Sequence, residues 1–154
     1  SMGKKNGTIV AKNPIRGALD VNSFPVQDLS IFEDITLHRP MMGEICRMAP
    51  VETQRGCPYA CTFCNSPEKN TLYDDQNAGD FFRKRTMKNV HAELKELVKK
   101  YRIAYIFFVT DTFLAMSDNE FDEFCEMYSE FKLPFFMNTR PETITEYRGK
   151  NLKR

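Results

Sequence analysis

Cys57, Cys61 and Cys64 crowd into the run Gln54-Arg-Gly-Cys57-Pro-Tyr-Ala-Cys61-Thr-Phe-Cys64, spaced C-x3-C-x2-C. Three thiols in one short loop are poor building material for a core and good ligands for three corners of a cubane iron–sulfur cluster. Such clusters are usually held by four Cys thiolates, so a three-Cys loop leaves one iron without a protein ligand. An iron with an open position can bind a substrate or a second cofactor, which turns an electron carrier into a catalyst.

Two other uses of these cysteines compete with that one. A structural zinc site needs a fourth Cys or His at compatible spacing. The candidates, Cys46, His38 and His91, fall in no paired C-x2-C or H-x3-H arrangement. A disulfide framework fits worse: the chain has 5 Cys, an odd count, and 154 residues do not need covalent staples. Ligating thiols in a reducing cytoplasm are the expectation, with no secretory signal visible in the sequence.

The 22 Lys+Arg nearly balance 21 Asp+Glu, so no bulk field steers the chain to nucleic acid or to a charged surface. No apolar run approaches the roughly 20 residues of a membrane span. Residues 1–3 read as a cloning remnant, residues 4–50 as a lead-in or linker with short strands, and residues 51–154 as the main domain.

Hydrophobic periodicity predicts the elements. Residues 8–10 suit a short strand, and Asp28 suits the cap of one helical turn over 29–32. Residues 44–48 alternate, as an edge strand or hairpin arm does, with Cys46 a buried or half-buried thiol there. Residues 51–54 are expected to form the first core strand. Gly56 is then expected to bend the backbone where a cluster must come close. Residues 65–82 show no periodicity and are expected to be a long polar loop. Thr86 caps a helix whose Met87, Val90, Leu94, Leu97, Val98 and Tyr101 form one apolar stripe, with His91 on its solvated side. Residues 103–109 make a continuous apolar run, as in a parallel strand buried on both faces. Ser117 or Asp118 caps a second helix with Phe121, Phe124, Cys125 and Tyr128 on one face, which makes Cys125 core material. Residues 135–137 form a third strand, followed by a helix capped by Thr143 that includes Ile144, Tyr147 and Leu152.

That order, strand–helix repeated three times, predicts an α/β fold with a parallel sheet and right-handed crossovers. The chemically suggestive groups all come just after strands: the cysteines after the first, Asp111 and Thr112 after the second, Asn138 and Arg140 after the third. The carboxyl edge of such sheets is where active sites are built. Glu52 and Arg55 flank the cysteine loop closely enough to support its ligands.

The cysteine spacing, with the aromatic Phe63 before the third Cys, resembles the signature of the radical S-adenosylmethionine (radical SAM) superfamily. Further stretches are similar to its cobalamin-binding-type subgroup: Asn13-Pro-Ile-Arg16, Leu19-Asp20, Phe24-Pro25, Asp28-Leu-Ser-Ile-Phe32, His38-Arg-Pro-Met41 and Val51-Glu-Thr-Gln-Arg-Gly-Cys57. Phe107-Phe-Val-Thr-Asp-Thr-Phe113 and Asn138-Thr-Arg140 resemble that subgroup's second and third barrel strands. The resemblance implies a partial (βα)6 barrel of which three βα units are present, and the chain, ending within its third helix, is expected to be an N-terminal fragment that can be inactive alone.

The resemblance further implies that Cys57, Cys61 and Cys64 ligate a [4Fe–4S] cluster and that SAM chelates the unique iron. An electron from a flavodoxin- or ferredoxin-type donor then cleaves SAM to a 5′-deoxyadenosyl radical, which abstracts hydrogen from substrate. Phe63 is placed against the adenine, where a flat apolar ring offers stacking area. Thr110, Asp111 and Thr112 stand where many members carry a Gly-Gly-Glu segment for the SAM amino group. This chain lacks those glycines, so Asp111 substitutes only as a carboxylate near an ammonium. Arg140 is set on the SAM carboxylate, on a substrate anion, or in a rim ion pair. Subgroup chemistries include methyl and methylthio transfer, with cobalamin, where used, supplied by a domain outside this chain. Two further readings stay open: a non-catalytic iron–sulfur or redox module, and a zinc-binding structural domain. A half-barrel would leave its last strand open, so self-association along that edge is expected.

Overall fold

The structure, a computed structural model, describes residues 2–152. Ser1 of the expected remnant, and Lys153 and Arg154 of the expected last helix, lie outside the described residues. In chain order the elements are β1 (Met2–Lys5), β2 (Thr8–Lys12), β3 (His38–Met41), β4 (Glu44–Val51), β5 (Gln54–Arg55), α1 (Ser66–Asp75), β6 (Arg83–Lys84), α2 (Met87–Tyr101), β7 (Tyr105–Phe108), α3 (Asp118–Tyr128), β8 (Phe135–Met137) and α4 (Glu146–Asn151). Short 3-10 turns lie at Leu29–Ile31, Asp34–Leu37 and Pro141–Thr143.

The central sheet has the order β3-β4-β7-β8. β4 pairs antiparallel with β3 through Glu44 to Arg47, then parallel with β7 through Met48 to Val51. β7 pairs parallel with β8. The fold is thus mixed α/β around parallel strands, and the first core strand differs from the expected 51–54. Met48, Ala49 and Val51 are buried in the half that pairs with β7, and the strand ends at Val51. Gln54 and Arg55 instead begin a separate small ribbon with Lys84 and Arg83.

α2 and α3 pack against the sheet because each presents one apolar stripe. Val90, Leu94 and Leu97 of α2 and Phe121 of α3 are fully buried, with Phe124 and Tyr128 close behind. Phe108 of β7 is the hub: its ring lies 4.8 Å from Phe113, 5.6 Å from Phe124 and 5.4 Å from Phe135. The helix starts follow the expected capping. Thr86 Oγ1 accepts from Asn89 N, and Ser117 with Glu120 closes a capping box. Arg102, in the left-handed conformation at φ 53°, ends α2. Cys125 is half-buried against this core, and burial pushes its thiol up from the ordinary value.

Two element expectations need correction. Residues 65–82 do not form an uninterrupted loop, since Ser66–Asp75 is helical. α1 buries only Ser66 fully and has no apolar stripe, so periodicity carries no signal for it. It is held at its ends, with Pro67 in the first turn and the Tyr73 ring edge-on to Phe81 at 5.5 Å. The last helix is capped by Thr145, whose hydroxyl accepts from Arg148 N, and not by Thr143. Thr143 is buried inside the preceding turn, where its hydroxyl donates to Arg140 O at 2.6 Å. Ile144 therefore stands outside the helix and Leu152 caps its end.

Residues 4–50 are tied to the domain at several points. Leu29 and Leu37 join the core cluster, and β3 supplies one edge of the central sheet. Tyr101 O–H donates to Asp28 Oδ1 at 2.6 Å and accepts from Leu29 N at 3.1 Å. Asp28 caps its 3-10 turn by accepting from Ser30 N. Met2 and Gly3 pair with Lys12 and Ala11 in the β1–β2 hairpin.

Candidate active site at the cysteine loop

Parallel pairing turns the carboxyl ends of β4, β7 and β8 to one rim, and side chains lace the three ends together there. Gln54 donates its side-chain amide to Thr112 O after β7. Val109 N donates to Val51 O at 2.9 Å, and Phe113 N to Asn138 O at 2.8 Å. Leu114 N reaches Thr139 Oγ1 at 3.2 Å. The buried Arg148 of α4 braces the same loop from beneath, donating to Leu114 O at 3.0 Å and Met116 O at 2.7 Å.

The cysteine loop rises from this rim. Gly56 has φ +82°, a conformation that favours glycine. The close approach that excludes a side chain there is to protein backbone, because a Cβ at Gly56 would sit 2.4 Å from Phe81 O. Beyond it the three thiols turn to three places. Cys57 Sγ lies 3.8 Å from Thr112 Oγ1, at the end of β7. Cys61 Sγ accepts from Arg140 Nη1 at 2.8 Å, at the end of β8. Cys64 Sγ lies 3.4 Å from both the hydroxyl and the backbone N–H of Ser66, at the start of α1. Its hydrogen bonds with Ser66, side chain first and then backbone N–H, hold the Cys64 thiol below its ordinary value, against the opposing effects of burial and of the Asp111 carboxylate.

Each predicted residue can now be placed. Cys57 and Cys61 are half-buried and Cys64 is exposed. Phe63 is 92% exposed, so it is no core residue beneath the loop. Thr110 and Thr112 are buried, and Thr110 Oγ1 has no hydrogen-bond partner among the described residues. Asp111 is exposed. Arg140 forms the rim ion pair with Glu142, and its guanidinium lies 4.4 Å from the Tyr59 ring centroid. Glu52 and Arg55 pair with each other through two hydrogen bonds of 2.9 and 2.6 Å. The remaining histidines are engaged elsewhere: His38 with Asp34, His91 with Glu130 at 2.6 Å.

Among the described residues no three His, Cys, Asp or Glu side chains converge on one point that would hold a metal ion. The donor chemistry nonetheless fits a thiophilic centre. Three free thiols occupy residues 57–64, one held below its ordinary value by Ser66 and another accepting from the Arg140 guanidinium. Cys57, Cys61 and Cys64 are the residues that would hold it. The neighbours that sequence inspection passed over are Gln54, Tyr59, Ser66 and Arg148. Ser66, two residues beyond Cys64, had a local signal as a donor near a thiol, whereas Arg148 had none.

Nothing among the described helices is long and apolar enough to cross a membrane. No curated protein matches the chain. The family model described as the Radical SAM superfamily matches residues 51–154, from the end of β4 through the cysteine loop and all three strand ends, and the chain belongs to that superfamily.

Proposed function

We propose that this chain is the N-terminal part of a radical SAM enzyme of the cobalamin-binding type, acting in methyl or methylthio transfer in a reducing cytoplasm. The observation that carries the reading is the placement of the cysteine loop on the carboxyl rim, with one thiol beside the end of β7 and another beside the end of β8. When bound, a [4Fe–4S] cluster would supply the low-potential electron that cleaves SAM.

The chain's own residues have distinct parts in this proposal. Phe63, almost wholly exposed on the loop, offers its face to the adenine. Asp111, Thr110 and Thr112 line the end of β7 where the SAM amino group is set, and the unpartnered Thr110 hydroxyl is a donor and acceptor in reserve there. Arg140 is already engaged by Glu142, Tyr59 and Cys61, so it serves the SAM carboxylate only if one of these contacts yields. The three parallel strands correspond to three units of a (βα)6 barrel, and the outer edge of β8 is unpaired among the described strands. A second copy of this chain is proposed to cover it. A flavodoxin- or ferredoxin-type protein is the proposed electron donor, and cobalamin would come from another domain.

Anaerobic reconstitution tests the reading. About four iron and four sulfide per chain are expected if a cubane assembles. Cys61→Ala is expected to abolish it and Cys125→Ala to leave it intact. Equal loss in both variants refutes the ligand assignment. Adding SAM is expected to perturb the visible spectrum, with 5′-deoxyadenosine formed under reductant. A cluster that ignores SAM would favour the non-catalytic redox module instead.

A further inference from the structure

The cysteine loop has little structure of its own. Among the described residues its backbone makes one internal hydrogen bond between positions 57 and 64, from Cys64 N to Cys61 O at 3.1 Å. Arg140, by contrast, is rigidly presented. Pro141 follows it and restricts its backbone to the extended region, where it lies at φ −84° and ψ 139°. Its carbonyl accepts from Thr143 N at 3.0 Å and from Thr143 Oγ1 at 2.6 Å. The Thr143 hydroxyl also lies 2.8 Å from Thr139 Oγ1, which takes Leu114 N. A fixed arginine thus faces a weakly structured loop.

The guanidinium uses three kinds of contact at once. It donates to Cys61 Sγ at 2.8 Å, covers the Tyr59 ring, and donates from Nε to Glu142 Oε1 at 2.6 Å. The last contact matters for geometry. Glu142 holds one side of the planar fork, so the opposite nitrogen and the flat face are aimed at the loop. Lysine, with a point charge and no plane, cannot satisfy all three together.

We infer that Arg140 is the positioning residue of the cysteine loop, docking its Tyr59–Cys61 arm on the end of β8 before any cluster is present. Cys61 is thereby held toward β8 while Cys57 rests against Thr112 and Cys64 against Ser66, so the three thiols occupy fixed starting places around the rim. The inference rests on the proposed function only in treating these thiols as ligands; the docking itself needs neither iron nor SAM.

The test uses metal-free protein. Each thiol is alkylated with iodoacetamide and located by mass spectrometry, and the rate constant is taken from the plateau at alkaline pH, where ionisation drops out. With Arg140→Gln the Cys61 constant is expected to rise about tenfold, as the sulfur loses its charge-assisted partner. Cys64 and Cys125 are expected to change less than about twofold on the same scale. Arg140→Lys should fall between, and Tyr59→Phe should keep the slow rate while Tyr59→Leu raises it. The Tyr59 pair also decides the matter should the Arg140 variants fail to fold. An unchanged Cys61 constant in Arg140→Gln and Tyr59→Leu overturns the inference. So does equal acceleration of Cys61, Cys64 and Cys125, which would report general loosening. A loop that docks as described yet takes up no iron would refute the proposed function alone.

Discussion

Arg148 should be among the most costly surface-proximal side chains to remove. Its side chain is 9% exposed, and it donates to Leu114 O at 3.0 Å, Thr143 O at 3.3 Å and Met116 O at 2.7 Å, besides pairing with Asp118 at 2.8 Å. Arg148→Met keeps an unbranched stem and removes the guanidinium, whose carbon lies 5.6 Å from the Phe121 ring centroid. The Asp118 pair is worth little, because that carboxylate is 67% exposed and water screens it. The carbonyls decide the magnitude. The bonds to Leu114 O and Thr143 O are buried, and a buried acceptor left without a donor costs about 1–3 kcal/mol. Two such losses in the lower half of that range give about 3 kcal/mol, with the part-buried Met116 O left to water. For a chain of this size that is a fall in Tm of about 6–12 °C.

Urea unfolding followed by far-UV circular dichroism measures it, provided the slope with denaturant is unchanged. Arg148→Lys should recover only part of the loss, since one ammonium cannot reach three separated carbonyls. Asp118→Asn should cost less than about 1 kcal/mol. An Arg148→Met protein within about 0.5 kcal/mol of the parent, the range of ordinary surface changes, would refute the view that this guanidinium holds the 114–116 loop in place.

Phe108→Ala should cost about 3–5 kcal/mol in the same assay, because the ring at the centre of the aromatic cluster has no neighbour able to fill its space; a loss under about 1 kcal/mol would place the core elsewhere. Gly56→Ala should destabilise by about 1–3 kcal/mol, since the positive φ is strained for alanine and its Cβ would meet the Phe81 carbonyl; a neutral result would show that the loop base can shift freely. The Tyr101 hydroxyl, then Ser30, holds Asp28 well below the usual carboxylate range. That stabilisation is complete above about pH 4 and lost as pH falls toward the lower folded value. Tyr101→Phe should therefore be less stable than the parent at pH 7, with a deficit that shrinks below pH 4; a constant deficit would sever the link. Light scattering should show self-association that Phe136→Lys suppresses by placing a charge on the open edge of β8, and a dispersed parent monomer would refute it.

What could be read in the sequence divides along a physical line. α2, α3, β7 and β8 announce themselves because burial on one or both faces writes a period into the chain, and Thr86 and Ser117 mark where the helices begin. α1 has no such period, since it lies on the surface and is held by its ends. β4 was misplaced because its two halves obey different rules. The half paired with β3 is exposed to half-buried, whereas Met48, Ala49 and Val51 are buried, and the boundary between them has no turn residue. Thr143 is the cap expected from sequence, and Thr145 takes that place in the structure. The part-buried bond from Thr143 to the Arg140 carbonyl puts Thr143 in the turn and leaves the helix start to Thr145.

The candidate site shows the same division more sharply. Its candidate ligands are legible because thiol chemistry demands particular residues at close spacing, and the parallel order of strands is enough to bring Asp111, Thr112, Asn138 and Arg140 to the rim beside them. The means of holding those groups is not legible, since it depends on where long side chains end. Arg140 and Arg148 follow the same strand, carry the same head group and look alike in sequence. Arg148 spends its donors on backbone carbonyls and one carboxylate, groups that give the rim its shape. Arg140 spends them on a sulfur, an aromatic face and a carboxylate at the rim. Carbonyls of a folded loop have no alternative partner indoors, so Arg148 has to stay where it is. A thiol that is to ligate a metal must change partners, so a contact to its sulfur has to be exchangeable. The chemistry of the acceptors thus separates a brace from a latch.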